Sequence, residues 1–97
     1  MKALDASMPV TVDSETSAYS REHYRRLGWR YGKGFDLFKA DFMLAERLLA
    51  RRLPADRVAA ALMRFSPDIQ ARCGGKAAGV KRYVTKTVLK AEGIKNG

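Results

Sequence analysis

The feature that most constrains this chain is its apolar spacing from Ser20 onward, which recurs at three- and four-residue steps and never settles into alternation. That spacing is helical, and glycine and proline punctuate it into short runs. Ser20 is placed to cap a helix in which Tyr24, Leu27 and Tyr31 share a side; Gly28 weakens it and Gly32-Lys33-Gly34 ends it. A second helix is expected over Leu37 to Arg52, capped by Asp36, with Phe38, Phe42, Ala45 and Leu49 as its stripe and Leu44 and Leu48 widening it. Leu53-Pro54 breaks that run. Pro54 then fits the first position of a third helix, whose buried side is Val58, Ala61, Leu62 and Phe65. Ser66-Pro67-Asp68 repeats the start signal for a short helix from Ile69 to about Arg72, stopped by Gly74-Gly75. The last helix runs from about Lys76 to Glu92 with Val80, Tyr83, Val84, Thr87, Val88 and Ala91 on one face and Gly93 as its C-cap. Tyr, Val and Thr favour strand locally around residues 82–89, but the period decides for helix. The expectation is all-α: a small bundle of about five helices with a flexible N-terminal leader.

Ninety-seven residues leave room for one domain, divided as a leader over 1–20 and a helical domain over 21–97. Charge separates the two. Lys2 stands against Asp5, Asp13 and Glu15, a net of −2, whereas residues 21–97 hold 18 basic and 7 acidic side chains, a net of +11. In the leader only Val10-Thr11-Val12 offers a segment that could dock. Hydrophobic residues at 46% are too many for a disordered polycation. The longest aliphatic stretch, Val58 to Met63, is far short of the roughly 20 residues a membrane span needs. With one cysteine, Cys73, no internal disulfide forms, and a cytoplasmic protein is expected.

The residue inventory argues against catalysis. A hydrolase or transferase needs a nucleophile, a base and an electrophile that converge, and here the one histidine, His23, lies among arginines. Cys73 has no second thiol; it reads as a small, partly buried side chain. One Cys and one His cannot close a tetrahedral zinc site. The acids Asp36, Asp41, Glu46, Asp56 and Asp68 are scattered singly, without the close pair that two-metal phosphoryl chemistry requires. Neither Gly32-Lys33-Gly34 nor Gly74-Gly75-Lys76 approaches a nucleotide-hydrolysing phosphate loop. No enzyme, metal or cofactor is expected.

Two basic clusters point to binding instead. Arg21, Arg25, Arg26, Arg30 and Lys33 are interleaved with His23, Tyr24, Trp29 and Tyr31, the mixture that pairs guanidinium with phosphate and ring with base. Equally, Tyr24, Leu27 and Tyr31 can be core and the arginines a solvated face. The second cluster is Arg72, Lys76, Lys81, Arg82, Lys86, Lys90 and Lys95; Arg82, Lys86 and Lys90 recur every four residues as a ridge opposite Val80, Val84 and Val88. A lysine-bearing helix face is common in soluble proteins, but two clusters on a net +11 domain favour a polyanion. The Pro54–Phe65 and Pro67–Arg72 helices also admit a helix-turn-helix reading, a duplex-binding regulator with only Gln70 and Arg72 able to address base edges.

Ala40-Asp41-Phe42, Ala45 to Leu48, Val58 to Leu62, Ser66-Pro67-Asp68 and Tyr83-Val84-x-Lys86-Thr87-Val88 with Ala91 carry a resemblance. Over about Lys39 to Ala91 the chain is similar to the helix-bundle segment that follows the catalytic core in RepB-type plasmid replication primases, and to C-terminal helical segments of some relaxase and mobilisation proteins. The tyrosine–x–x–basic–threonine–valine ending is its most distinctive part. Arg51-Arg52-Leu53-Pro54 departs from the pattern, standing where a glycine-bearing turn is expected. The resemblance implies a non-catalytic role in engaging template or initiation-site DNA during priming. No Asp-x-Asp pair and no strand alternation of a primase core is found here, so an isolated domain or a short protein beside a separate primase or relaxase chain is expected.

Together these readings give a DNA-binding helical module for plasmid replication priming or DNA transfer, favouring single-stranded or primer–template DNA. Arg25, Arg26, Arg30, Lys33, Arg82, Lys86 and Lys90 are its expected phosphate contacts, Trp29 or Tyr31 its stacking residues, and Arg21 and Lys76 further nucleic-acid-binding positions. The alternative is a basic protein-interaction domain that docks an acidic partner such as a primase core or helicase through Phe35, Phe38 and Trp29. A membrane partner is not expected, and the residues do not fix an oligomeric state.

Overall fold

The structure, a computed structural model, describes residues 12–31 and 36–96. Five helices follow in order: α1 Ser14–Tyr31, α2 Leu37–Ala50, α3 Ala55–Phe65, α4 Ile69–Arg72 and α5 Ala77–Asn96, with no strand among the described residues. The all-α bundle expected from spacing is the fold observed. Its core is built from Leu44 and Leu48 of α2, Val58 and Leu62 of α3, and Val84 and Val88 of α5, all at most 1% exposed. α2 and α5 pair most extensively; α3 packs on both, α1 lies across α2 and α3, and α4 leans on α5.

Helix α1 starts seven residues earlier than expected. Asp13 accepts from the Thr16 amide at 3.3 Å through Oδ2, so an aspartate, not Ser20, caps the helix. Hydrogen bonds from Thr16 hold the Asp13 carboxyl below the usual carboxylate range. Residues 14–20 therefore belong to the bundle rather than to a leader, while Val12 packs against the core and residues 1–11, with Val10 and Thr11, lie outside the described residues. The buried stripe of α1 is Thr16, Ser17, Ser20 and His23, with Tyr24 half-buried beside it. These residues recur at one-, three- and four-residue steps, but the stripe is polar. Ser20, fully buried, satisfies its hydroxyl by donating to the Thr16 carbonyl at 2.8 Å.

Asp36 caps α2 as expected, accepting from the Phe38 and Lys39 amides through Oδ1 at 2.9 and 3.3 Å. The buried face of this helix is Ala40, Asp41, Leu44, Ala45 and Leu48. The stripe is thus rotated from the expected one: Phe38 is 52% exposed, and Phe42 and Leu49 flank the core instead of filling it. Small Ala40 and Ala45 let α2 approach its neighbours more closely than two phenylalanines would.

The end of α2 is a Schellman turn: Leu53 N–H donates to the Leu48 carbonyl at 3.2 Å and Arg52 N–H to Leu49 at 2.9 Å. That geometry puts Arg52 at φ 68°, the left-handed region that favours glycine. Pro54 is the N-cap of α3, one residue before its expected place. Ser66 is the C-cap of α3 rather than a cap for α4, because its hydroxyl is drawn to Asp41; Asp68 precedes α4 at φ 53°. Gly74 and Gly75 end α4 with φ of 85° and 77°, as the double glycine implies. Gly93 does not end α5, which continues to Asn96. A glycine inside a helix costs only about 1 kcal/mol against alanine, too little by itself to stop the chain.

Candidate nucleic-acid interface

The carboxylate of Asp41 is fully buried and gathers donors from every other helix or its cap. Its Oδ1 accepts from the Tyr24 hydroxyl of α1 at 2.5 Å and from the Ser66 hydroxyl after α3 at 2.6 Å. Its Oδ2 accepts from the Tyr83 hydroxyl of α5 at 2.6 Å and from both terminal nitrogens of Arg72 in α4 at 3.3 Å. Arg72 also donates to the Ser66 hydroxyl and the Pro67 carbonyl. Burial and the neighbouring carboxylate push both tyrosine hydroxyls well above their ordinary value, so they act as donors throughout the physiological range. One buried charge with an arginine giving both terminal nitrogens to a single oxygen, and three hydroxyl donors, meets the condition under which such a group is tolerated.

This arrangement removes Arg72 from the second basic cluster. Its side chain is 15% exposed and committed to Asp41. It cannot read base edges, and α4 has only four residues, so the helix-turn-helix reading loses its recognition helix.

What Asp41 holds in place forms one wall of a groove. The Phe38 ring of α2 meets Tyr83 edge-on at 5.4 Å and 87°, and the Arg72 guanidinium lies over it at 5.2 Å. Two adjoining hollows of about 430 and 320 Å³ share Phe38 and Tyr83. The first also takes in Lys39 and Phe42 from α2 and Thr87 and Lys90 from α5; the second takes in Arg82 and Lys86. The four-residue ridge expected on α5 is therefore real, exposed and set beside an aromatic side chain. Among the described residues no carboxylate pairs with Lys39, Arg82, Lys86 or Lys90. The one acid in the lining, Asp36, is engaged as the α2 cap. Lys90 Nζ stays close to the groove, 5.8 Å from the Phe42 ring centre.

The α1 cluster is arranged differently. Arg21, Arg25, Arg26, Trp29 and Arg30 are exposed, but none lines either hollow. Arg25 and Arg26 share Glu22, at 2.5 and 3.0 Å, and these hydrogen bonds pull the Glu22 carboxyl down to about 2. Arg21 lies 5.5 Å over the Phe65 ring. Trp29 is 86% exposed. His23, taken for a member of this cluster, is buried with its Nε2 2.8 Å from the Ala40 carbonyl. Lys76 is exposed just before α5, whereas Lys33 and the side chain of Tyr31 lie outside the described residues. Lys39, Phe38 as a groove aromatic and the Asp41 hub were missed in the sequence. The available signal was an acid at 41 on the same helical face as Ala40, Leu44 and Leu48, which would have turned Phe38 outward.

Fold and groove define a small basic helical bundle with an aromatic-lined cationic groove. Residues 35–91 match the family model of the RepB DNA-primase C-terminal helical domain, and the chain belongs to that family. No curated protein and no solved structure gives a significant match. The residues that carried the likeness now have a physical role. Asp41, Ser66 and Tyr83, far apart in sequence, are three members of the clamp that joins the helices.

Among the described residues no group of three or more His, Cys, Asp or Glu side chains could hold a metal ion, and no helix is long and apolar enough to cross a membrane.

Proposed function

We propose that this chain is a non-catalytic DNA-binding module of plasmid replication priming or transfer, and that it engages single-stranded or primer–template DNA along the α2–α5 groove. The observation that carries this reading is the unneutralised set Lys39, Arg82, Lys86 and Lys90 beside an exposed ring. Four-residue steps on a helix repeat every ~6 Å, a spacing at which successive cations can follow one strand's phosphates. The primase family supplies the setting. A separate primase or relaxase catalytic chain is the natural co-worker, and the Arg25–Arg26–Arg30 face of α1 gives secondary contacts.

Titration of labelled single-stranded and duplex oligonucleotides over a range of salt tests the reading. Engagement of four phosphates on a single strand gives a log K against log salt slope of roughly −3. Arg82→Glu with Lys86→Glu abolishes binding, while Arg26→Glu with Arg30→Glu weakens it less. Absence of binding at low salt, or binding indifferent to salt, overturns the proposal.

Trp29 favours a second reading for α1 alone. A tryptophan 86% exposed beside arginines is the composition of an interface anchor, suited to an acidic protein partner. Loss of partner capture with strand binding intact in Trp29→Ala would assign α1 to that role.

A further inference from the structure

We infer that the groove distinguishes unpaired from paired nucleic acid by stacking one base on Phe38. This rests on the DNA-binding reading above and adds to it the strand form and the residue that selects it. Phe38 leaves 52% of its surface exposed, and it does so inside a groove lined by cations. Phe38 is also held still. It stands at right angles to Tyr83 at 5.4 Å with the Arg72 guanidinium over it at 5.2 Å, and both neighbours are fastened to the buried Asp41 carboxylate. With those sides taken, the exposed part of the ring is what the groove presents.

A platform already ordered in the free protein gives up little conformational freedom when a base lands on it. Arg72 and Tyr83 then act as positioning residues: Arg72 is consumed by Asp41 and does not reach a phosphate itself. Lys39 shares one of the adjoining hollows with Phe38 and Lys86 shares the other, so a nucleotide stacked on the ring has a cation in each for its own and the adjoining phosphates. In a duplex the bases are stacked on one another, and reaching Phe38 requires pulling one out. A single strand offers its bases without that penalty. Stacking is indifferent to base identity, because every base has a π-face.

The test compares wild type, Phe38→Leu and Phe38→Trp on one oligonucleotide as a single strand and as a blunt duplex, with thermal melts confirming that each variant is folded. Leucine keeps apolar bulk but has no π-face. Phe38→Leu is expected to weaken single-strand binding roughly 5- to 150-fold, the range of one lost base–aromatic stack, with the salt slope unchanged and duplex binding barely altered. Phe38→Trp retains single-strand binding. Quenching of a 2-aminopurine in the strand, seen with wild type, is lost with Phe38→Leu. Equal weakening on both strand forms, or no weakening on either, overturns the stacking inference while leaving the DNA-binding reading standing. Wild type that binds neither form removes both.

Discussion

Asp41 of α2 and Tyr83 of α5 meet at 2.6 Å across the most extensive helix pairing in the molecule, with the carboxylate fully buried and the hydroxyl donating. Asp41→Ala would strand Arg72 and the hydroxyls of Tyr24, Ser66 and Tyr83 without their acceptor. Breaking a buried charge pair from one side costs about 3–5 kcal/mol, and a domain of this size has only about 5–15 kcal/mol in total. Urea unfolding should show Asp41→Ala losing a large fraction of the domain's stability. Asp41→Asn, which keeps one acceptor, should lose less. A variant as stable as wild type would show that Asp41 does not organise the fold.

Gly79 makes the second prediction. A Cβ at this position would sit 2.3 Å from the Cys73 carbonyl oxygen, a backbone atom that cannot swing aside. The first turns of α5 pass the end of α4 at a distance only hydrogen allows. Gly79→Ala must push the two apart, and overpacking of this kind costs about 1–3 kcal/mol. Gly93→Ala, with nothing within 4 Å of its Cβ and a helical position, should instead be neutral or stabilising. Thermal melts should fall for Gly79→Ala and hold or rise for Gly93→Ala.

The helices themselves were legible in the sequence because local signals agreed with the tertiary outcome: the Asp36 cap, the Leu53-Pro54 break and the Gly74-Gly75 stop all act within a few residues. The α5 ridge was legible for the same reason. What could not be read this way depended on partners distant in sequence. The buried face of α1 is Thr16, Ser17, Ser20 and His23, so a search for apolar period placed the helix start too late. Phe38 and Phe42 drew the α2 stripe toward themselves by hydrophobicity, and Asp41 was counted as a scattered acid because its four partners lie 17 to 42 residues away. Arg72, whose acceptor lies 31 residues away, reads locally as one more cation of the second cluster.

Arg52 is a residue in a glycine's place. The Schellman turn at the end of α2 requires φ 68° at this position, and an L-residue with a Cβ there costs about 1–2 kcal/mol. Arg52 is exposed and makes none of the ion pairs seen among the described residues. Arg52→Gly should stabilise the domain by about 1 kcal/mol or less, since glycine gives back part of the gain through greater freedom when unfolded. Arg52→Val, β-branched in the same backbone region, should destabilise it. A shift of the urea midpoint in opposite directions for the two variants is the outcome to look for.

His23 links stability to pH. Its Nε2 faces the Ala40 carbonyl oxygen at 2.8 Å and donates to it, leaving Nδ1 buried without a hydrogen-bond partner. A second proton on Nδ1 would put a cation into that setting. Burial is the main force depressing its pKa, Arg47 adds to it, and the Ala40 hydrogen bond and Asp41 oppose it without prevailing. The folded pKa therefore lies below the unfolded value of about 6.5, and the unfolded chain takes up the proton first as pH falls. Stability is fully present above the unfolded value and declines as pH drops from there through the folded value. The carboxyls of Asp13 and Glu22, also depressed, add losses only below their ordinary values near 4. Urea midpoints measured from pH 7.5 down to 5 should fall for wild type, and His23→Gln, which keeps a donor for Ala40 but cannot charge, should flatten that slope even if its midpoint at pH 7.5 is lower. An unchanged slope in His23→Gln would place the acid sensitivity elsewhere.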